Sequence, residues 1–199
     1  MTVVDKEHSK WRLVMENVVH LNRAELEAGL DEIRQSPKDN GELMMIVRRP
    51  GTDRREVLVE GELNLEQGLA GDDWRVRGSS STEDGSAHPD MQITIMNARV
   101  IALLAQEAER WQLAGDQLYL DLDLSEDNLP PGTQLAIGTA IIEVTEIPHT
   151  GCRKFAARFG LEGMKFVNSA EGKRLHLRGI NARVVKSGRI QVGDKAEKL

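Results

Sequence analysis

The chain has 199 residues, 40% of them hydrophobic and 29% charged, with a net charge of −6 and one cysteine. That length fits one domain with appendages, and the hydrophobic share is enough for a core. The longest apolar run, Val100–Ala105, is far shorter than the roughly 20 residues of a membrane span, and a lone cysteine makes neither an internal disulfide nor a multi-cysteine zinc site.

The opening Met1–Glu7 has no apolar stretch of the signal-peptide kind, so a reducing cytoplasm is the expected location. After Asn22, the residues Leu26, Leu30 and Ile33 recur at helical spacing. Asn22 and Glu25 form a capping-box pattern, and Ser36-Pro37 ends the helix. Leu43–Val47 and Glu56–Glu60 read as strands around the turn residues Pro50-Gly51-Thr52-Asp53. Gly68-Leu69-Ala70-Gly71-Asp72 is a glycine-bracketed loop without a nucleotide-binding pattern. Residues 78–90 are polar and read as a long loop.

Met91–Ile95 is a short strand, and Asn97 caps a second helix whose face is Val100, Leu104, Ala108 and Trp111, stopping at Gly115. Leu118–Leu124 alternates apolar and polar, the pattern of a half-buried strand. Gln134–Ile137 and Ala140–Glu146 flank Gly138-Thr139 as a hairpin, and Val184–Lys186 and Arg189–Val192 flank Ser187-Gly188 as another. The residues after Gly193 are charged and are expected to fray. Many short strands without a βα rhythm predict a mainly β barrel or sandwich with a few helices around it. The expected division is a helix-and-strand extension over 1–59 packed on the core, a barrel over 60–193, and a tail over 194–199.

Charge is unevenly distributed. Residues 147–190 carry a net +8 and the remainder −14. Such a segment either focuses an anionic ligand or is a solvated basic face. It also contains Cys152. Phe155 and Phe159, with Gly160 beyond, read as one short helix starting at or just after that thiol. A thiol at a helix start beside Arg153, Lys154 and His149 should have a depressed pKa and act as a nucleophile or metal ligand; the alternative is an inert buried cysteine. The acids after the alternating strand, Glu126 and Asp127, with Asn128, are either site residues or turn formers.

Five segments, in order, resemble the MOSC domain, found at the C-terminus of molybdenum cofactor sulfurases. They are Gly68–Asp72, His88–Thr94, Leu122–Leu129, His149-Thr150-Gly151-Cys152 and Arg178–Val184. The resemblance covers about residues 60–193 and implies a β-barrel. It implies that Cys152 is a persulfide carrier or a molybdenum ligand, with His149 beside it. It also implies molybdopterin, the molybdenum cofactor, as an anionic pterin-phosphate ligand, held by Arg153, Lys154, Asn128, Arg178, Asn181 and Arg183. No pyridoxal-phosphate desulfurase domain fits in a chain this short, so a separate cysteine desulfurase or electron donor is the expected partner. Sulfur transfer and reduction of N-hydroxylated compounds both remain open. The competing class is a non-catalytic anion- or protein-binding module built on the 147–190 segment. Nucleic acid is disfavoured by the negative net charge and by only seven aromatic residues.

Overall fold

The computed structural model describes residues 19–199. Two short helices come first, α1 (Arg23–Ala28) and α2 (Leu30–Arg34). The predicted capping box is present: Asn22 accepts from the Glu25 amide at 3.1 Å, and Glu25 accepts from the Asn22 amide at 2.7 Å. The single expected helix breaks at Gly29, where the Leu103 side chain packs against the backbone.

Seven strands close into a barrel: β1 (Gly41–Arg48), β5 (Ile93–Asn97), β6 (Leu118–Asp121), β7 (Gln134–Ile137), β8 (Ala140–Val144), β9 (Ile180–Lys186) and β11 (Lys195–Lys198). The ring runs β1-β6-β5-β9-β8-β7-β11 and returns to β1, and β2 (Glu56–Leu58) hangs on β1 outside it. Every pairing in the ring is antiparallel except β5 with β6. That parallel pair requires a crossover, supplied by α4 (Ala98–Ala105) and a 3₁₀ helix over Ala108–Ala114. The sequence reads this crossover as one helix, but Gln106 takes a positive φ of 63° and divides it. A second sheet, β10 (Gly188–Gln191), β3 (Glu60–Asn64) and β4 (Gly68–Leu69), covers one side.

Alternation along the strands separates two layers of core. Leu118, Leu120, Leu122 and Leu124 point into the barrel with Leu43, Ile46 and Ile142. The intervening Tyr119 and β1's Val47 point outward, against Val100, Leu104, Phe155, Phe159 and Phe166 of the helices. The strand read as half-buried is therefore covered on both faces at its first residues, where α4 lies over it. Asp121, also facing outward, accepts from Arg99 of α4 at 2.7 Å.

Three expectations change. The tail is not frayed: β11 pairs with β1 through Gly41↔Ala196 and with β7 through Ala196↔Ile137, closing the barrel. The boundary at residue 59 does not separate an extension from a barrel, because β1 is itself a barrel strand. The Ser187-Gly188 turn makes no hairpin, since β9 stays in the barrel while β10 leaves it to pair with β3. The expected β7–β8 hairpin and the irregular 78–88 segment are both present. Among the described residues no helix is long and apolar enough to cross a membrane. The reading of Met1–Glu7 falls outside them.

Candidate functional site

Cys152 sits at the start of α5 (Arg153–Val167), in extended backbone with φ −111° and ψ 179°. The helix does not stop at Gly160 as the sequence suggests. It kinks there, φ +81°, and runs on to Val167. The residue before the thiol is fixed from both sides: the Gly151 amide donates to Asn168 Oδ1 at 2.9 Å, and Asn168 Nδ2 donates to Gly151 O at 3.0 Å.

The Cys152 residue is exposed. Partial burial of the thiol pulls its pKa up, but the amides of Phe155 and Lys154 and the Arg178 guanidinium pull it down, and the net shift is downward. A helix N-terminus presents free N–H groups and a positive dipole end, which favour the thiolate.

Arg178 is the centre of the electrostatics. Its Nη1 donates to both oxygens of Asp116, at 3.0 and 2.8 Å, and its Nη2 donates to Ala114 O at 3.1 Å. The guanidinium lies 4.8 Å from the centre of the Phe155 ring, a cation–π contact that ties it to α5. Asp116 is wholly buried. Next to this pair, His149 Nδ1 stands 3.4 Å from Asp116 Oδ1 without forming a hydrogen bond. Burial, then repulsion from Arg178, pushes the imidazole pKa down to about 3 against the pull of Asp116. His149 is therefore neutral, an acceptor or ligand rather than a cation.

A cleft of about 490 Å³ opens beside this pair, lined by His149, Thr150, Lys173, His176, Arg178 and Asn181 among others. That volume suits a small-molecule site. Asn181 Nδ2 donates to Ile147 O at 2.9 Å, which fixes the amide's orientation. Its Oδ1 is buried with no protein partner among the described residues, as is His149 Nδ1. A buried acceptor without a partner is costly, so the Asn181 side of this cleft suits a ligand that donates to its Oδ1, while His149 Nδ1 faces Asp116. Among the described residues, no three His, Cys, Asp or Glu side chains converge on a metal position.

The structure brings His149, Arg178 and Asn181 together in the cleft lining, and Cys152, outside that lining, lies within reach of the Arg178 charge. Arg153 and Lys154 flank the thiol, exposed and without an ion pair among the described residues. Two expected ligand residues are elsewhere engaged. Asn128 Nδ2 donates to Lys38 O and Asp123 O at 3.0 and 2.7 Å while its Oδ1 accepts from Lys198, so it knits the turn after β6 to β11. Arg183 is exposed and paired with Glu143 at 2.6 Å and Asp90 at 3.2 Å. Arg178 lines the cleft, but Asp116 already cancels its charge. The +8 segment is likewise offset: Arg158, Lys165, Arg174, Arg178 and Arg183 each pair with an acid. Asp116 and Arg49, which shape the site, carry no local sequence signal. Their partners lie 62 and 23 residues away.

Comparison with known proteins agrees with this fold. No curated protein matches the chain. Among solved structures, the YuaD protein of Bacillus subtilis superposes with a TM-score of 0.57 at 14% identity, over 79% of this chain and 94% of that one. YiiM of Geobacillus stearothermophilus gives 0.53 at 18% identity, over 80% and 75%. YiiM of Escherichia coli gives 0.51 at 19%, over 79% and 69%. The MOSC domain family matches residues 82–197, more than half of the chain and every barrel stave except β1. With its barrel, its thiol and its cleft in place, the chain belongs to the MOSC domain family.

Proposed function

We propose that this protein handles the molybdenum cofactor, with the Cys152 thiolate as the ligand it offers to molybdenum. The observation that carries this reading is an exposed thiol with a lowered pKa, under the charge of an arginine that also lines a small-molecule cleft with the buried, unpartnered Asn181 Oδ1. The MOSC family's association with that cofactor supports it. The residues fit the group: Asn181 Oδ1 would accept from a donor on the pterin, neutral His149 lines the same cleft, and Arg153 and Lys154 would offer positive charge. When bound, the cofactor supplies two-electron redox chemistry at its metal.

The chain's own residues orient and protect. The amides at the start of α5 hold Cys152 as the thiolate, the form that binds metal. Asp116 fixes Arg178, and Arg178 holds the thiolate's charge from the side. His149 stays neutral and so adds no repulsion to the pair. A separate protein supplies the electrons or sulfur.

The exposure of Cys152 favours a second reading, a persulfide carrier. There the thiolate attacks the sulfane sulfur of a desulfurase persulfide. A new S–S bond forms on Cys152, and the donor leaves as its own thiolate. Molybdenum content after co-expression with cofactor synthesis tests the first reading. Near-stoichiometric metal in wild type and little in Cys152→Ala is expected. No metal in either protein would overturn it, and sulfane sulfur trapped on wild-type Cys152 would then establish the second.

A further inference from the structure

Three arginines from separate parts of the chain grip the turn before Asp116. Arg158 of α5 donates to Leu113 O at 2.7 Å, Arg178 to Ala114 O at 3.1 Å, and Arg49, just past β1, to Gly115 O at 2.8 Å. Two of the three are fully neutralised. Asp72 takes Arg49 through two hydrogen bonds, at 2.9 and 2.8 Å, and Asp116 takes Arg178. Arg158 has only the exposed Asp53, at 3.3 Å.

A fourth arginine, Arg55, forms no ion pair among the described residues, and the nearest acidic charge it feels is that of exposed Asp53. Its one hydrogen bond among the described residues runs from Nη1 to Arg54 O at 2.6 Å, and its Nε is buried and unpartnered. Burial, then the nearby charges of Arg158 and Arg49, lowers its pKa. A guanidinium partly buried among like charges, with its Nε shut off from water, gains when an anion joins it.

The space for that anion lies over Gly115. A Cβ at Gly115 would stand 3.7 Å from Arg55 Nη2 and 3.9 Å from Arg158 Nη1, with no other atom within 4 Å. Both guanidiniums therefore border one gap that a side chain would fill.

We propose that this gap, walled by Arg55 and Arg158, binds the terminal phosphate group of a small-molecule ligand. A carboxylate presents its two oxygens in one plane, whereas a phosphate offers three terminal oxygens and accepts from two forks at once. The carbonyls of the turn already have their donors in Arg158, Arg178 and Arg49, so the anion takes the N–H groups they leave. The inference deepens the cofactor reading and rests on it for the ligand's identity. It moves the phosphate from Arg178, whose charge Asp116 balances, and Arg183, paired at the surface with Glu143 and Asp90, to Arg55 and Arg158.

The test is calorimetric titration of metal-free protein with inorganic phosphate at low ionic strength. Wild type binds saturably. Arg55→Gln weakens binding by at least about tenfold, the ratio one charged hydrogen bond is worth. Arg183→Gln, which alters only a surface pair, leaves it unchanged. Without phosphate, Arg55→Gln melts no lower than wild type, because it removes an uncompensated charge, so lost binding cannot be lost fold. Cys152→Ala binds phosphate as wild type does, which separates this site's outcome from that of the metal. Equal affinity in Arg55→Gln and wild type, or no saturable binding in wild type, overturns the proposal.

Discussion

Replacing Asp116 with Asn leaves Arg178 charged, buried and without its counter-charge. Breaking a buried pair from one side costs about 3–5 kcal/mol, far more than removing any surface pair such as Arg183–Glu143. Chemical denaturation of Asp116→Asn should show that loss, and Arg183→Gln should show almost none. His149 gives a second prediction at this scale. Its folded pKa of about 3 lies below the ordinary 6.5. Above pH 6.5 the residue is neutral in both states and contributes no slope. As pH falls below 6.5 the unfolded chain takes a proton that the folded one refuses, so stability falls until pH nears 3. Between pH 7 and pH 5 the loss is about 2 kcal/mol. In His149→Gln, denaturation midpoints across that interval should be flatter; an unchanged slope would mean that the imidazole is protonated in the fold.

At the scale of elements, β11 repays the closest look, because the sequence gives little reason to expect it. Lys195–Lys198 has one apolar residue, Ala196, and charged residues dominate it. What makes it a strand is the pair of open edges it fills, on β1 and β7. A local pattern cannot report a long-range edge. Cutting the chain before Lys195 should expose both edges, and a large drop in melting temperature with concentration-dependent association is expected in scanning calorimetry and light scattering. The same limit explains the other misreadings. Ser187-Gly188 has hairpin chemistry, but strand β10 finds its partner in β3. Where the signal is local, it holds: the Asn22 cap, the Gly138-Thr139 hairpin, the alternating leucines of β6 and the helix starting after Cys152. The site divides in the same way. Cys152 and His149 are close in sequence and were legible together. The Asp116–Arg178 pair and the Arg55–Arg158 gap are assembled by tertiary contacts, and nothing in either residue's neighbourhood announces them.

At the scale of the whole molecule, the fold is a closed ring with a helical layer on one side. The crossover demanded by the one parallel pair, β5 with β6, carries α4 and the 3₁₀ helix over the outside of the barrel and returns through Gly115-Asp116. The electrostatic centre of the site therefore lies at the re-entry point of that crossover, where α5 and β9 also arrive. Ring closure has a further consequence, for the order of events during synthesis. Gly41 is made first, and its partner Ala196 follows only 155 residues later. Until residue 196 has left the ribosome, the Gly41–Glu42 end of that edge of β1 waits unpaired, while β2 can already cover Ile46–Arg48. Barrel closure is thus a long-loop step, and the interval before it leaves that end of β1 open to a neighbour's edge.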